Sequence, residues 1–148
     1  VGAQGRVFAL DIQEEALQAT ELLLREHQVL DRVELVLKDH GEMSQVVPPG
    51  IKAAVFNLGY LPGSARDVAT RPRTTARGVQ EALRLLDGNG VVTLTVYRGH
   101  RGGPEESEAL VNFLSGLPKK DFSILQGIYL NQGEFSPYWI MIQKTGGR

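Results

Sequence analysis

No cysteine occurs in the 148 residues, which removes disulfides and thiolate metal sites and suits a reducing compartment. Histidine is scarce: His27, His40 and His100 are scattered and show no metal-ligand spacing. Neither an HExxH motif nor a Ser-His-Asp or Cys-His arrangement of recognisable spacing is present, so hydrolase and metal readings have little support and no metal is expected. Charge of one sign is lacking too, with 16 basic against 17 acidic residues. The molecule therefore offers no field to draw in nucleic acid, and such a site has to be a local patch. Apolar runs are only a few residues long, far short of the ~20 that cross a bilayer, and the N-terminus has no basic-then-apolar leader pattern. No membrane partner is expected, and the predicted location is cytoplasmic.

What is present is ordinary for a globular protein: 42% hydrophobic and 22% charged residues. The length predicts one domain over residues 1–148, and no repeat, linker or low-complexity segment divides it. "RVFALDI" (Arg6 to Ile12) reads as a strand. From Glu14 the spacing becomes helical, with Ala16, Leu17, Leu23 and Leu24 as the apolar stripe. "VELVLKD" predicts a second strand, "HGEMSQVVPPG" a short helix or loop, and the continuous run "IKAAVFN" a third strand buried on both faces. Thr74 or Thr75 is expected to cap a helix with Val79, Ala82, Leu83 and Leu86 on its apolar side, ended by Gly88 to Gly90. "VVTLTVY" follows as a strand, Pro104 opens a helix running to about Leu117, and "DFSILQGIYLN" with "PYWIMIQK" predicts an antiparallel hairpin. The alternation implies an α/β fold, a mostly parallel sheet covered on both faces with an antiparallel edge.

In open sheets of this kind ligands lie beyond the carboxyl ends of the strands, here at Asp11, Asp39, Asn57 and Tyr97. Asp11 suits hydrogen bonding to a ribose diol, or simply caps the helix after it. Asp39 and His40 end the next strand, where an adenine or a second diol would lie; the plainer alternative is a turn aspartate with an exposed histidine. Asn57 ends an apolar strand with an amide whose oxygen suits an amine proton. Gly59 permits close backbone approach and Tyr60 offers a ring for stacking, although a tight loop also asks for Gly59 and Pro62. "YRGHRGG" can cradle an anion through backbone amides, with Arg98, His100 and Arg101 adding charge, or can be a solvated connection. It is no Walker loop, since no Gly-Lys-Ser/Thr follows. Arg66, Arg71 and Arg73 form a local basic stretch suited to phosphate, or a solvated loop.

"GRVFALDIQEEAL", "LDRVELVLKDH", "IKAAVFNLGYLPG", "TRPRTT", "DGNGVVTLTVYRGHRGG", "EESEAL" and "YLNQ" together resemble the bacterial putative rRNA methylase family. These are small S-adenosylmethionine-dependent methyltransferases that include the tRNA 5-aminomethyl-2-thiouridine methyltransferase. The resemblance covers essentially the whole chain and implies a Rossmann-like class I methyltransferase fold. It implies S-adenosylmethionine as cofactor, with Asp11 and Gln13 at its ribose and Asp39 and His40 at its adenine side. "NLGY" stands where amine-methylating members carry an Asn/Asp-Pro-Pro-Tyr-like turn, which gives Asn57 and Tyr60 the catalytic role and places Gly59 against the cofactor. Tyr60, Arg71, Tyr97 and His100 are then expected on the substrate, a tRNA held at its anticodon region. The family's first strand and glycine-rich loop would precede Val1, and their absence from these residues is expected to leave a gap in the sheet and an edge that favours pairing, as in a homodimer. The alternatives implied are an rRNA substrate, or a non-catalytic α/β module that binds RNA or protein without cofactor.

Overall fold

A computed structural model describes residues 1–58, 72–99 and 102–146. Its elements in chain order are β1 (Val7–Asp11), α1 (Glu14–Glu26), β2 (Val33–Leu37), β3 (Ile51–Leu58), α2 (Pro72–Leu85), β4 (Leu86–Val96), α3 (Gly103–Ser115), β5 (Phe122–Gly127) and β6 (Tyr138–Lys144). Short 3-10 segments, Leu30–Arg32 and His40–Gln45, sit before and after β2. Strand and helix alternate as the periodicity predicts, and the last two strands pair antiparallel, Phe122 opposite Lys144 through Gly127 opposite Trp139.

The strands form two sheets rather than one. β1 pairs with β2 in parallel, and the other sheet runs in the order β3, β4, β6, β5 with only the β3 to β4 pairing parallel. β1 and β3 share no ladder, and each keeps one edge without a strand partner among the described residues. This break lies where the resemblance puts the family's first strand.

Helices α2 and α3 cover one face of the larger sheet. Val79, Ala82 and Leu83 of α2 and Leu110 and Leu114 of α3 join Phe56, Val92, Leu94, Ile140 and Ile142 in a single core. Phe8 and Leu10 of β1 pack on the same core, which ties the smaller sheet to it. The third strand is not buried on both faces as its apolar run suggests: Val55 is 80% exposed while its neighbour Phe56 is buried. Alternation sends Ala53, Val55 and Asn57 to the face opposite the helices, and all three are exposed.

Three local expectations are corrected. In α1, Leu23 is exposed, and Ala16, Leu17 and Leu24 are the half-buried positions; a turn of 3.6 residues aligns Leu17 with Leu24 but turns Leu23 outward. Thr75 is no cap: it is fully buried inside α2, and its hydroxyl donates to Oε1 of the buried Glu106 at 2.6 Å. Gly88 to Gly90 do not end the helix either, since α2 stops at Leu85 and β4 begins at Leu86. The extra residues are absorbed by a register shift between Ile51 and Ala53, with Asn89 in the left-handed region at φ 67°. Pro104 falls in the first turn of α3 as expected, after Gly102 at φ 83°.

Candidate functional site

Asp11 is the last residue of β1, opposite Leu37 of β2. One carboxylate oxygen, Oδ1, accepts from the backbone N–H of Gln13 at 2.9 Å, a turn that leads the chain into α1. The aspartate is half-buried and its second oxygen has no protein donor among the described residues. Lys38 N–H donates to the Asp11 carbonyl at 2.9 Å, so the end of β1 lies against the segment leading to Asp39. Asp39 Oδ1 accepts from Gly41 N–H at 2.6 Å, capping the 3-10 segment that follows.

His40 is not the exposed histidine of the plainer expectation. Its ring is half-buried, with Nε2 3.1 Å from the carbonyl oxygen of Thr74 on α2. A carbonyl only accepts, so Nε2 carries the proton of this bond. The ring meets Phe56 edge to face, with centroids 5.8 Å apart and planes at 86°. Gly78 of α2 faces it closely: a β-carbon there would come 3.0 Å from Nε2 and overlap Cδ2. His40 thus fixes the turn after β2 against the end of β3.

Asn57 follows Phe56, pairs in register with Thr95 of β4, and is exposed on the helix-free face of the sheet. Tyr97, just beyond β4, is 40% exposed. Asp11 and Gln13 thus stand at the end of β1, Asp39 and His40 just after β2, Asn57 at the end of β3 and Tyr97 just beyond β4, and the His40 to Phe56 contact joins the β2 side to β3. Gly59, Tyr60, Arg71 and His100 lie outside the described residues. Arg98 is committed to structure: its guanidinium donates to the Glu134 carbonyl and lies 5.4 Å over the Tyr138 ring. A small cavity of about 160 Å³ between Arg6 and Glu34 opens at the amino ends of β1 and β2, away from this cluster.

The free Asp11 oxygen, half-buried at a parallel strand end, fits a diol, and the exposed Asn57 amide fits a hydrogen-bonded amine. No group of three or more His, Cys, Asp or Glu suited to a metal occurs among the described residues. Among them no helix is long and apolar enough to cross a membrane.

Comparison with known proteins gives concordant findings. The profile of the family described as Putative rRNA methylase matches residues 7–143. The chain is 37% identical over 137 residues to the chloroplastic tRNA (mnm(5)s(2)U34)-methyltransferase of Arabidopsis thaliana, a match covering 89% of this chain. It spans about half, 50%, of the length of that relative. Among solved structures, a putative rRNA methylase from Clostridium thermocellum superposes with a TM-score of 0.93 at 37% identity, covering 97% of this chain and 77% of that one. A putative methyltransferase from Streptococcus mutans in complex with SAH gives 0.85 at 35% identity, covering 94% and 76%.

Proposed function

The chain belongs to the Putative rRNA methylase family, and on that premise we propose that it is part of an S-adenosylmethionine-dependent RNA methyltransferase. The finer reading is N-methylation of the aminomethyl group of a modified wobble uridine in tRNA, and it leans on the 37% identity to the Arabidopsis thaliana tRNA enzyme. The observation that carries the reading is the placing of three polar groups at strand ends: Asp11 closes β1, Asp39 lies two residues beyond β2 and Asn57 is the penultimate residue of β3, linked by the Lys38 to Asp11 bond and by the His40 to Phe56 contact.

Bound there, S-adenosylmethionine would supply an electrophilic methyl group on a sulfonium. Asp11 would accept from the ribose hydroxyls through the oxygen that Gln13 leaves free, and Gln13 would lie beside the same ribose. Asp39 and His40 would line the adenine side, with His40 holding the turn in place rather than contacting the base through Nε2, which Thr74 already engages. Asn57 would accept an N–H of the acceptor amine and aim its lone pair, a catalytic role shared in the resemblance with Tyr60, while Gly59 would lie against the cofactor. A neutral amine needs no covalent enzyme intermediate, so alignment and exclusion of water supply most of the acceleration. Tyr97, Arg71 and His100 would meet the RNA.

The test measures methyl transfer from labelled S-adenosylmethionine to tRNA carrying 5-aminomethyl-uridine, with rRNA fragments assayed alongside. The reading expects tRNA methylation that falls at least tenfold in Asn57→Ala. Turnover unchanged in that variant would overturn the role of Asn57. RNA binding without any transfer would leave the non-catalytic module as the better account, and transfer to rRNA alone would replace the tRNA assignment.

A further inference from the structure

The connection between β5 and β6, residues 128–137, leaves the sheet beside the candidate site. Tyr138 pairs with Val96, and Val96 with Leu58, so the connection rises at the carboxyl ends of β3 and β4. Its side chains are unusual for a surface loop: Leu130 is 92% exposed, Phe135 60% and Tyr129 56%, with the amides of Asn131 and Gln132 exposed between them. Large apolar groups clustered in water usually mark a contact surface.

The loop is also anchored. Arg98 holds the Glu134 carbonyl and covers the Tyr138 ring at 5.4 Å. The Tyr138 hydroxyl shares a buried hydrogen bond of 2.9 Å with Ser107 of α3. Ser136 N–H closes a turn on the Gly133 carbonyl at 2.9 Å. Helix α3, the end of β4 and residues 133–138 of the loop are thus joined through one chain of contacts, and Tyr129 stands at the other foot of the arch, two residues beyond the end of β5. Less ordering entropy remains to be lost when it meets a ligand.

We propose that this arch reads an unpaired nucleotide of the RNA next to the one that is methylated, with Tyr129 stacking on its base and Asn131 and Gln132 hydrogen-bonding its edge. This rests on the RNA methyltransferase reading above. The chemistry of the loop favours a base over a protein surface: Asn131 and Gln132 each present a donor and an acceptor together, the pattern that matches base edges, and they lie between the exposed rings of Tyr129 and Phe135.

The experiment uses the full chain, a fluorescent anticodon stem-loop oligonucleotide and the methyl-transfer assay. Tyr129→Ala, at an exposed position, should raise KM for the RNA about tenfold and weaken oligonucleotide binding equally, as loss of one stacked base does. S-adenosylhomocysteine affinity should stay unchanged, Tyr129→Phe should restore KM, and Asn131→Ala with Gln132→Ala should broaden tolerance for base changes beside the acceptor. An active parent whose KM is unmoved by Tyr129→Ala overturns the inference alone. A parent that methylates no RNA overturns the underlying reading as well. A change of sedimenting mass in Tyr129→Ala with RNA affinity intact would assign the arch to contact between copies, and overturns it too.

Discussion

Replacing Gly78 by alanine should weaken this protein, although alanine inside a helix ordinarily stabilises by about 1 kcal/mol over glycine. The added β-carbon would overlap Cδ2 of His40 and lie 3.0 Å from its Nε2, inside the ~3.5–4.0 Å at which carbon contacts normally sit. The ring can retreat only by giving up two things. One is its 3.1 Å bond to the Thr74 carbonyl, worth about 1 kcal/mol. The other is its edge contact with Phe56, worth about 0.5–1.5 kcal/mol. Overpacking strain adds about 1–3 kcal/mol if the ring stays instead. Set against the propensity gain, the net loss is about 0.5–1.5 kcal/mol when the ring retreats and up to about 2 kcal/mol when it stays, which for this chain length lowers the melting temperature by about 1–8 °C. Urea unfolding of Gly78→Ala, His40→Ala and the double variant checks it by a double-mutant cycle. With His40 truncated the clash is gone, and Gly78→Ala should then stabilise by about 1 kcal/mol. A Gly78→Ala single variant as stable as its parent, or a cycle with no coupling, would refute the reasoning.

Two other substitutions carry separate expectations. Thr75→Val keeps the shape of a fully buried side chain but removes the donor to Glu106 Oε1, leaving a buried carboxylate oxygen unpaired; it should cost about 1–3 kcal/mol in denaturant unfolding. Asp11→Asn can still accept from Gln13 N–H, so the fold should hold while one diol-binding oxygen is exchanged for an amide NH2. Calorimetry should then show S-adenosylhomocysteine bound about 10–100-fold more weakly at unchanged melting temperature, from loss of a charge-assisted bond.

Much of the fold was legible because its signals are local. The period change at Glu14, the apolar stripe Val79, Ala82 and Leu83, and Pro104 in the first turn of α3 each depend on a few adjacent residues and stand where the sequence places them, whereas Leu86, expected on the same stripe, opens β4. Coverage of a strand's second face does not. "IKAAVF" is apolar throughout, yet Val55 faces away from α2 and α3, because which face a helix covers is decided by chain connectivity rather than by that segment. Thr75 illustrates the same limit. A threonine near a helix start resembles a cap in sequence, and only the approach of α3 with Glu106 turns it into a buried donor. The places of Asp11, Asp39 and Asn57 at or just after strands were readable from the apolar runs before them. The structural duty of His40 was not, since its partners Thr74 and Gly78 are more than thirty residues away, Thr74 by a separation of 34. The motif "YLNQ" was visible, but its exposure and anchoring required the pairing of β6 with β4.

Asp11 and Asp39 belong to the β1 and β2 side of the molecule and Asn57 to β3, and among the described residues side-chain packing relates the two. That packing consists of Phe8, Leu10, Met43, Val46 and Val47 against the common core, and of His40 between Thr74, Gly78 and Phe56. A change of volume at one of these packed positions is passed on to its neighbours. On the proposed reading, methyl transfer would depend on the line from acceptor amine to sulfonium, so small shifts between Asp39 and Asn57 should be felt in turnover before they are felt in the affinity of either side alone. His40 would then act as a positioning residue through its contacts with Thr74 and Phe56.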